Sequence, residues 1–567
     1  MYLKLYMLKS DIVFLHPPVT FQANRKLRES WPISDGVPST PLFEMYPYGF
    51  YTMAEYLNRR GFNTSIRNLA LMYSRKDIDI HKFSKKLDVE AVAIDLHWLA
   101  HTDGSLRLSS VIKKHNPETP VIFGGLSSTY YYKDLIQYPQ IDFLIRGDSA
   151  EKPLLELMRR ISGGKEGFGE VPNLVWKENG RIIDNGIRWV EEDLDNILKE
   201  PDFLPQLILS KGFESLPYEG FMENPIVPVF TSRGCSFNCT TCGGTNRFYK
   251  KHCKREELAF RSPEMIVSDI KTYDKYGDFP IFLIHDIRQG GEKYWKSLLR
   301  EIKKEAIDIK LIIELFKPAS EDFFEEIKDL NRVSLQISPE TYEEEIRARQ
   351  RTHYSNASLE KNLQRGIEIN VDKFDVYFMT GIAGQDRKEI QRTANYMDRL
   401  AQIGDEIHFF LSPLAPFIDP GSPAFENPDK HGFEILFKDI NKHRKAIRSD
   451  SWEYCLNYKT DELDREGIVK STYDGLFSMI DKKKKYGHIN EDEYEKKKRQ
   501  IEISKKINQE VKRGMEPEKI IDKYLSDLDM STQKSVSTTK ELYWGDSKIS
   551  LGGILSIIKS KILSKFH

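Results

Sequence analysis

The chain has 567 residues, of which 40% are apolar and 11% aromatic, and its formal net charge is −1. This length exceeds what one hydrophobic core can organise, and the composition excludes a largely disordered chain. The balanced charge excludes a global field that would attract nucleic acid or anionic membranes. Only five cysteines are present, three of them within eight residues. That count does not form an even disulfide framework, so we expect a cytoplasmic protein.

The first region, residues 1–165, alternates short apolar runs with amphipathic segments. This alternation predicts βα units and a doubly wound parallel sheet of Rossmann type. The predicted strands are Ile12–Leu15, Val92–Asp95, Pro120–Phe123 and Phe143–Ile145, and the predicted helices are Gly49–Arg60, Ser105–His115 and Glu151–Ile161. Ligands of such sheets bind beyond the carboxyl ends of the strands.

A second α/β series follows a connector at residues 166–225. Six predicted strands with helices between them fit a partial (β/α)6 barrel over residues 226–430, with chemistry at the strand carboxyl ends. The strands are Val227–Thr231, Ile281–His285, Ile309–Glu314, Arg332–Ile337, Phe374–Thr380 and Glu406–Ser412.

The C-terminal part is predicted to be helical. We expect a charged helical domain at residues 431–527, a linker at 528–548 and an amphipathic helix at 549–567. That last helix has an apolar arc flanked by Lys559 and Lys561. Such a helix can lie in a membrane interface, or it can dock on its own domain or on a second subunit. The membrane alternative predicts peripheral attachment to the inner face of the membrane.

The strongest chemical signal is a cysteine triplet directly after the first strand of the second series. Cys235, Cys239 and Cys242 have the spacing CxxxCxxC. Three thiolates on one loop can bind a [4Fe-4S] cluster and leave one iron open for another ligand. A zinc site completed by His252 or Cys253 is the alternative, because zinc prefers four protein ligands.

In this context the loop resembles that of the radical S-adenosylmethionine (AdoMet) superfamily, also called radical SAM. Several other segments resemble the branch with an N-terminal cobalamin (B12)-binding domain: Pro47-Tyr-Gly-Phe50, Val121-Ile-Phe-Gly-Gly125, Asp142 to Asp148, Phe260-Arg-Ser-Pro-Glu264, Gly381 to Gln385 and Pro420-Gly-Ser422. The resemblance extends over roughly residues 10–430. It implies a [4Fe-4S] cluster, AdoMet and cobalamin as cofactors, with one-electron cleavage of AdoMet to a 5′-deoxyadenosyl radical.

The resemblance also implies residues that contact AdoMet. Asp286 and Glu292 compete for the polar position near the AdoMet amino group. Ser338 and Glu340 match the position that binds the ribose or the carboxylate, and a carboxylate suits ribose hydroxyls. Gly381 and Gly384 form the glycine-rich turn after the fifth strand.

A second set of residues is expected to contact cobalamin. His97 and Trp98 would line the lower face of the corrin ring, although His97 is also compatible with a hydrogen-bonded core histidine. Gly124 and Gly125 would allow close backbone approach to the nucleotide tail.

These features predict a cobalamin-dependent radical SAM enzyme that abstracts hydrogen from an unactivated carbon, which is then methylated or joined to another carbon. Some archaeal members of this branch modify membrane tetraether lipids, so a lipid substrate is one possibility. The alternatives are an RNA-modifying enzyme with Lys482–Lys485 and Lys496–Arg499 as phosphate contacts, and a non-catalytic cobalamin or metal sensor. Those lysine runs are interleaved with acids and lack aromatic stacking residues, so we do not expect nucleic acid to bind. We expect ferredoxin or flavodoxin to donate the electron.

Overall fold

The computed structural model describes residues 9–21, 27–28, 30–32, 43–75, 78–164, 166–221, 225–305, 307–414, 417–524 and 548–550. Two large sheets organise this part of the chain, one in the N-terminal region and one in the middle region. No helix within the ranges just given is both long and apolar enough to cross a membrane.

The N-terminal sheet has seven strands in the order β2-β1-β3-β4-β5-β6-β7. Its strands are β1 (Lys9–His16), β2 (Thr64–Asn68), β3 (Asp88–Asp95), β4 (Val121–Gly124), β5 (Phe143–Ile145), β6 (Leu174–Glu178) and β7 (Arg181–Asp184). The first five strands are parallel, and β6 and β7 are antiparallel additions. The predicted doubly wound sheet is therefore confirmed. The β6–β7 hairpin lies within residues 166–225, the predicted connector.

Helices cover both faces of this sheet. They are Tyr48–Asn58, Leu69–Arg75, Ile80–Ser84, Thr102–His115, Leu126–Tyr130, Tyr132–Leu135, Glu151–Ser162 and Phe203–Lys211. Alternate residues of β1 belong to different apolar clusters, with Ile12 and Phe14 on one face and Val13 and Leu15 on the other. This two-sided burial is what a parallel sheet between helices requires.

The second sheet has six parallel strands, and neighbours in the sheet are also neighbours in the chain. The strands are β8 (Val227–Phe230), β9 (Pro280–Ile284), β10 (Lys310–Leu315), β11 (Arg332–Glu340), β12 (Lys373–Thr380) and β13 (Ile407–Pro413). The helices between them are Pro263–Asp274, Glu292–Lys304, Glu321–Ile327, Glu344–Arg349, Asn356–Glu368 and Arg387–Ala401. This is the predicted partial (β/α)6 arrangement. Its main apolar core packs between the outer face of the sheet and these helices.

The C-terminal region is mostly helical, with helices Pro423–Glu426, Ile440–Ala446, Trp452–Cys455, Arg465–Lys485, Glu491–Lys512 and Pro517–Tyr524. Phe433–Ile435 and Tyr458–Thr460 pair as a two-stranded antiparallel sheet in this region. Lys548–Ile549 forms a short strand against Gly277–Asp278, near the amino end of β9. Ile549 is therefore extended rather than helical, because its backbone pairs with a second strand. The rest of the predicted amphipathic helix, residues 551–567, lies outside the described residues.

The first lysine run is paired within the protein, contrary to the RNA alternative. Lys483 is 1% exposed and lies 4.3 Å from the Phe410 ring. Lys484 binds Glu491 at 2.8 Å, and Lys485 binds Asp398 at 2.8 Å. Lys482 also lies within ion-pair distance of Asp398. These ammonium groups therefore already contact carboxylates or an aromatic ring within the protein.

Candidate active site

The cysteine loop begins where β8 ends, at the carboxyl edge of the second sheet. Two of its sulfur atoms accept backbone hydrogen bonds: the Phe237 amide donates to Cys235 Sγ at 3.4 Å, and the Gly244 amide donates to Cys242 Sγ at 3.3 Å. Hydrogen bonds to thiolate sulfurs tune iron–sulfur clusters. The loop then continues into a π-helical turn, Tyr249–Cys253.

The three thiols lie close enough to interact electrostatically. Burial, together with the charges of Glu340 and Cys235, raises the pKa of Cys239 to about 12. Thiols in this environment stay protonated unless a positively charged group binds them. Among the described side chains, no three His, Cys, Asp or Glu groups are placed to hold a single metal ion. In a [4Fe-4S] cluster each thiolate binds a different iron. Three thiols on one loop, two of which accept backbone amide hydrogen bonds, therefore fit a [4Fe-4S] cluster.

The structure does not bring the proposed zinc ligands to the loop sulfurs. His252 stacks on Phe248 with ring centroids 5.0 Å apart and also contacts Tyr130. Cys253 is fully buried at the end of the π-helical turn. Neither His252 nor Cys253 therefore supplies the fourth ligand that a zinc site would need.

Gln289 fixes the beginning of the cysteine loop, and sequence reasoning missed it. Its Oε1 atom accepts the Ser236 amide at 2.8 Å and lies 3.9 Å from Cys235 Sγ. Its Nε2 atom lies 2.8 Å from His285 Nε2, so that ring nitrogen accepts. His285 follows β9 with a φ of 82°, a strained value for a residue with a side chain.

The two candidates for the AdoMet amino position have other contacts. The Asp286 carboxylate accepts from Arg288 Nε at 2.8 Å and Nη2 at 2.6 Å, and from the Phe316 amide at 2.9 Å. Its oxygens are thus engaged within the protein. Glu292 is 66% exposed and pairs with Lys296 at the start of helix Glu292–Lys304. The Glu292 side chain thus points to solvent on this helix, and its role near the AdoMet amino group stays a prediction.

Glu340 at the end of β11 has the properties expected of a ligand-binding carboxylate. Its Oε2 atom is buried and has no hydrogen-bond partner among the described residues. Burial raises its pKa to about 8, with Arg347 acting in the opposite direction. Its φ of 67° is again in the left-handed region. Ser338 is exposed at the same strand end, so both predicted residues lie at the carboxyl edge of the sheet.

The glycine-rich turn after β12 packs against the protein. Gly381 has a φ of 86°, and a Cβ atom there would lie 2.7 Å from the Tyr458 hydroxyl. At Gly384, with φ 95°, a Cβ would lie 2.9 Å from Ile346. Both glycines are therefore explained by close packing and positive φ. A role in binding AdoMet stays a prediction.

A cavity of about 600 Å³ lies between the two sheets. Its walls come from the carboxyl ends of the strands of both domains and from helix Tyr48–Asn58. Most of the lining is apolar, including Phe50, Met53, Phe230, Phe282 and Ile284. Sites at the carboxyl ends of parallel strands are where both of these sheet types bind ligands.

All four predicted cobalamin contacts line this cavity: His97, Trp98, Gly124 and Gly125. The His97 and Trp98 rings meet edge to face with centroids 5.2 Å apart. Burial lowers the pKa of His97, so its imidazole is neutral. Gly125 has a φ of 111°, and a Cβ there would lie 2.6 Å from the His97 backbone. Gly124 and Gly125 thus form an edge of the cavity without side chains, which we call the glycine edge. A large planar cofactor can lie against it.

Several further cavity residues escaped the sequence reasoning. Glu314 and Gln336, on β10 and β11, line the barrel side. Arg233 and Glu151 form a buried ion pair between the domains. A polar residue that interrupts the apolar run of β10 was the available signal for Glu314, whereas Gln336 lies in a strand with several other polar residues.

Two family models match this chain, one in each of the two domains. Residues 229–397 match the radical SAM superfamily and residues 36–156 match the B12 binding domain. The chain therefore carries both domains. Together they imply a [4Fe-4S] cluster, S-adenosylmethionine and cobalamin as cofactors, as the cysteine loop and the glycine edge had indicated.

Two curated relatives are similar to part of the chain. The chain is 28% identical over 235 residues to an uncharacterized methyltransferase of Pyrococcus horikoshii, covering 41% of this chain and 47% of the relative. It is 25% identical over 267 residues to the hopanoid C-3 methylase of Methylococcus capsulatus, covering 45% and 46%. The matched regions are thus about half the length of these curated relatives.

Solved structures show the same fold. TsrM of Kitasatospora setae, a radical S-adenosylmethionine methyltransferase with cobalamin and a [4Fe-4S] cluster bound, has a TM-score of 0.52 at 15% identity, covering 76% of this chain and 78% of that one. OxsB, a cobalamin-dependent S-adenosylmethionine radical enzyme, has a TM-score of 0.55 at 13% identity, covering 99% and 80%.

Proposed function

We propose that this protein is a cobalamin-dependent radical SAM enzyme that functionalises an unactivated carbon of an apolar substrate, by methylation or by carbon–carbon bond formation. The observation that carries the proposal is the single cavity that joins the glycine edge of the B12 binding domain to the barrel face beside the cysteine loop. When bound, the cofactors supply a 5′-deoxyadenosyl radical and a transferable methyl group.

The residues of the chain have three tasks in this proposal. Cys235, Cys239 and Cys242 hold the cluster at the strand end. Glu340 binds the ribose or carboxylate of AdoMet through its free buried oxygen. The apolar walls exclude water, which protects a reactive radical from side reactions.

Two observations support an apolar substrate. The cavity is lined mostly by aromatic and aliphatic side chains, and such walls favour apolar ligands. One relative is, by its name, a methylase of a hopanoid. A membrane lipid, reached at the inner membrane surface, is accordingly the substrate class that we propose.

The decisive assay is anaerobic reconstitution with iron, sulfide, hydroxocobalamin, AdoMet and a reductant, followed by measurement of 5′-deoxyadenosine. Radical SAM chemistry needs a one-electron reductant, and we propose ferredoxin or flavodoxin as the donor. Cys239→Ala should abolish the product. Cys455→Ala is the matched control, because Cys455 is buried in the C-terminal helical region and bonds the Ala446 carbonyl at 3.3 Å. Equal product from wild type and Cys239→Ala would refute the proposal.

Attachment to the membrane is tested separately. We propose that residues 549–567 bind the membrane surface, and flotation with liposomes containing anionic lipids measures this binding. Truncation after Ser550 keeps the short strand at Lys548–Ile549 and should abolish flotation. Unchanged flotation would remove this part of the proposal.

A further inference from the structure

A polar row crosses the inner face of the partial barrel. The strand register aligns Glu314 with Gln336, Gln336 with Asp375, and Asp375 with His408. Aligned residues of neighbouring parallel strands point to the same face of a sheet. Glu314 and Gln336 line the cavity, so the row begins in the cavity and continues along the inner face of the sheet.

Gln336 is the unusual member of this row. It is 7% exposed, and its side-chain amide forms no hydrogen bond with any residue in the described part of the chain. Asp375, by contrast, has Lys373 Nζ at 3.0 Å. The Gln336 amide lines the open cavity and is not among the fully enclosed polar atoms, so a ligand in the cavity can reach it. The side chain therefore points to a ligand that supplies the missing hydrogen bonds.

Glu314 is the second polar group at this end of the cavity. Its Oε2 atom accepts the backbone amide of His285 at 3.0 Å. Burial raises its pKa to about 7, so neutral and ionised forms are both accessible near neutral pH. The neutral carboxyl can donate a hydrogen bond, and the carboxylate can accept one.

The charges around the cavity disfavour an anionic ligand group. Arg233 is the only Lys or Arg among the described lining residues. Its guanidinium is already neutralised by Glu151, with Nη1 to Oε2 at 2.9 Å. A carboxylate or phosphate directed at Gln336 would meet Glu314 instead of a free cation, and like charges there would repel.

We propose that Gln336 and Glu314 bind one hydroxyl group of an otherwise apolar substrate. The Gln336 amide donates to the hydroxyl oxygen, and Glu314 accepts or donates the second hydrogen bond. The apolar body of the substrate then lies against Phe230, Phe282 and Ile284. This inference rests on the proposed function, because it assigns the substrate class of the same cavity.

The test measures binding rather than turnover. Protein reconstituted anaerobically with cluster and hydroxocobalamin is titrated by calorimetry with octan-1-ol, octanoate and octylamine. The alcohol should bind at least about threefold more tightly than either charged analogue. Gln336→Leu should weaken alcohol binding about three- to tenfold, as expected for one neutral hydrogen bond, and should leave octanoate binding unchanged.

Two variants keep the test interpretable. Gln402→Leu is the matched control, because Gln402 is exposed and bonds Tyr486 at 3.2 Å; its alcohol affinity should equal that of wild type. Gln336→Met keeps the side-chain length and replaces Gln336→Leu if the latter does not retain cobalamin. Equal alcohol affinity in wild type and both Gln336 variants would overturn the inference. Tighter binding of octanoate or octylamine than of the alcohol would overturn it as well.

Failure of the proposed function would look different. In that case wild type would release no 5′-deoxyadenosine, while the alcohol preference and its dependence on Gln336 persisted. Conversely, 5′-deoxyadenosine release without any Gln336-dependent preference would refute only the hydroxyl site.

Discussion

Arg233 and Glu151 form a buried ion pair that connects the two halves of the active site. Arg233 lies two residues before Cys235, and Glu151 begins the helix that follows β5 in the B12 binding domain. Their side chains are 11% and 4% exposed. Burial acts to raise the pKa of Glu151, but the charge and hydrogen bonds of Arg233, together with the Thr52 hydroxyl and a backbone hydrogen bond, lower it overall. The pair therefore fixes the cysteine loop relative to the cobalamin side of the cavity.

Breaking this pair should destabilise the protein. Arg233→Met leaves Glu151 buried without a counter-charge, so we expect a loss of about 3–5 kcal/mol in the free energy of urea-induced unfolding. The double variant Arg233→Met with Glu151→Met should recover much of that loss, since neither charge is then buried. A single variant as stable as wild type would show that the pair does not join the domains energetically.

The glycine edge allows a matched comparison between neighbouring residues. Gly125→Ala forces a Cβ to within 2.6 Å of the His97 backbone at a φ of 111°, whereas at Gly124 the nearest atom would be 4.0 Å away. We expect Gly125→Ala to lose about 1–3 kcal/mol of stability and to bind hydroxocobalamin at least about tenfold more weakly. Gly124→Ala should fold normally. Equal cobalamin affinity in wild type and Gly125→Ala, measured by absorbance titration, would contradict contact at this edge.

Replacing Gln289 should weaken binding of the [4Fe-4S] cluster by the cysteine loop. Gln289→Leu deletes the bond to the Ser236 amide and the contact with His285. Partners of metal ligands typically contribute 10- to 100-fold in affinity, so we expect about tenfold faster loss of the cluster absorbance during chelator challenge. Gln391→Leu, on the exposed face of helix Arg387–Ala401, is the control. Identical bleaching rates for the two variants would contradict this role.

Much of this arrangement follows from sequence pattern alone. The six parallel strands β8 to β13 and the cysteine loop were predictable, because long apolar runs and closely spaced thiols leave few alternatives. Strand β2, Thr64-Ser-Ile-Arg-Asn68, was not predicted, since its polar side chains are buried by tertiary contacts that no local pattern reveals. The β6–β7 hairpin had a usable signal: Asn179 and Gly180 both have positive φ, as an Asn-Gly hairpin turn requires.

The site residues also divide into those that the sequence indicates and those that only the folded structure reveals. The cysteines and Gly124-Gly125 stand out in the sequence because their residue types are chemically specific. Glu292 was assigned by its place in a motif, but helix geometry turns it outward to Lys296. Gln336 and Gln289 could not be distinguished in the sequence from the other glutamines. Only the folded structure places Gln336 at the cavity and Gln289 at the cysteine loop.

Glu340 should make stability depend on pH. Its ordinary pKa is 4.5, and burial raises it to about 8 in the folded protein. Between these values the unfolded chain has lost a proton that the folded protein keeps, so stability falls as the pH rises. Glu340→Gln removes this effect, and without AdoMet it should be about 4 kcal/mol more stable than wild type at pH 8 and nearly equal to it near pH 4.5.

The same variant tests ligand binding. Glu340→Gln should bind AdoMet about tenfold more weakly, because an amide replaces the carboxyl group that bonds the ligand. Calorimetry on the cluster-loaded protein measures this affinity. A variant that gains stability at high pH and keeps full AdoMet affinity would assign Glu340 to structure alone.

The most direct test of the central claim is joint measurement of 5′-deoxyadenosine and S-adenosylhomocysteine, the product left when AdoMet gives up its methyl group. Cluster-loaded protein is assayed anaerobically with AdoMet and reductant, with and without hydroxocobalamin. If both cofactors work in the one cavity, S-adenosylhomocysteine forms only when cobalamin is present, and Cys239→Ala forms no 5′-deoxyadenosine. S-adenosylhomocysteine at the same yield without cobalamin, or the absence of 5′-deoxyadenosine from wild type, would contradict the account.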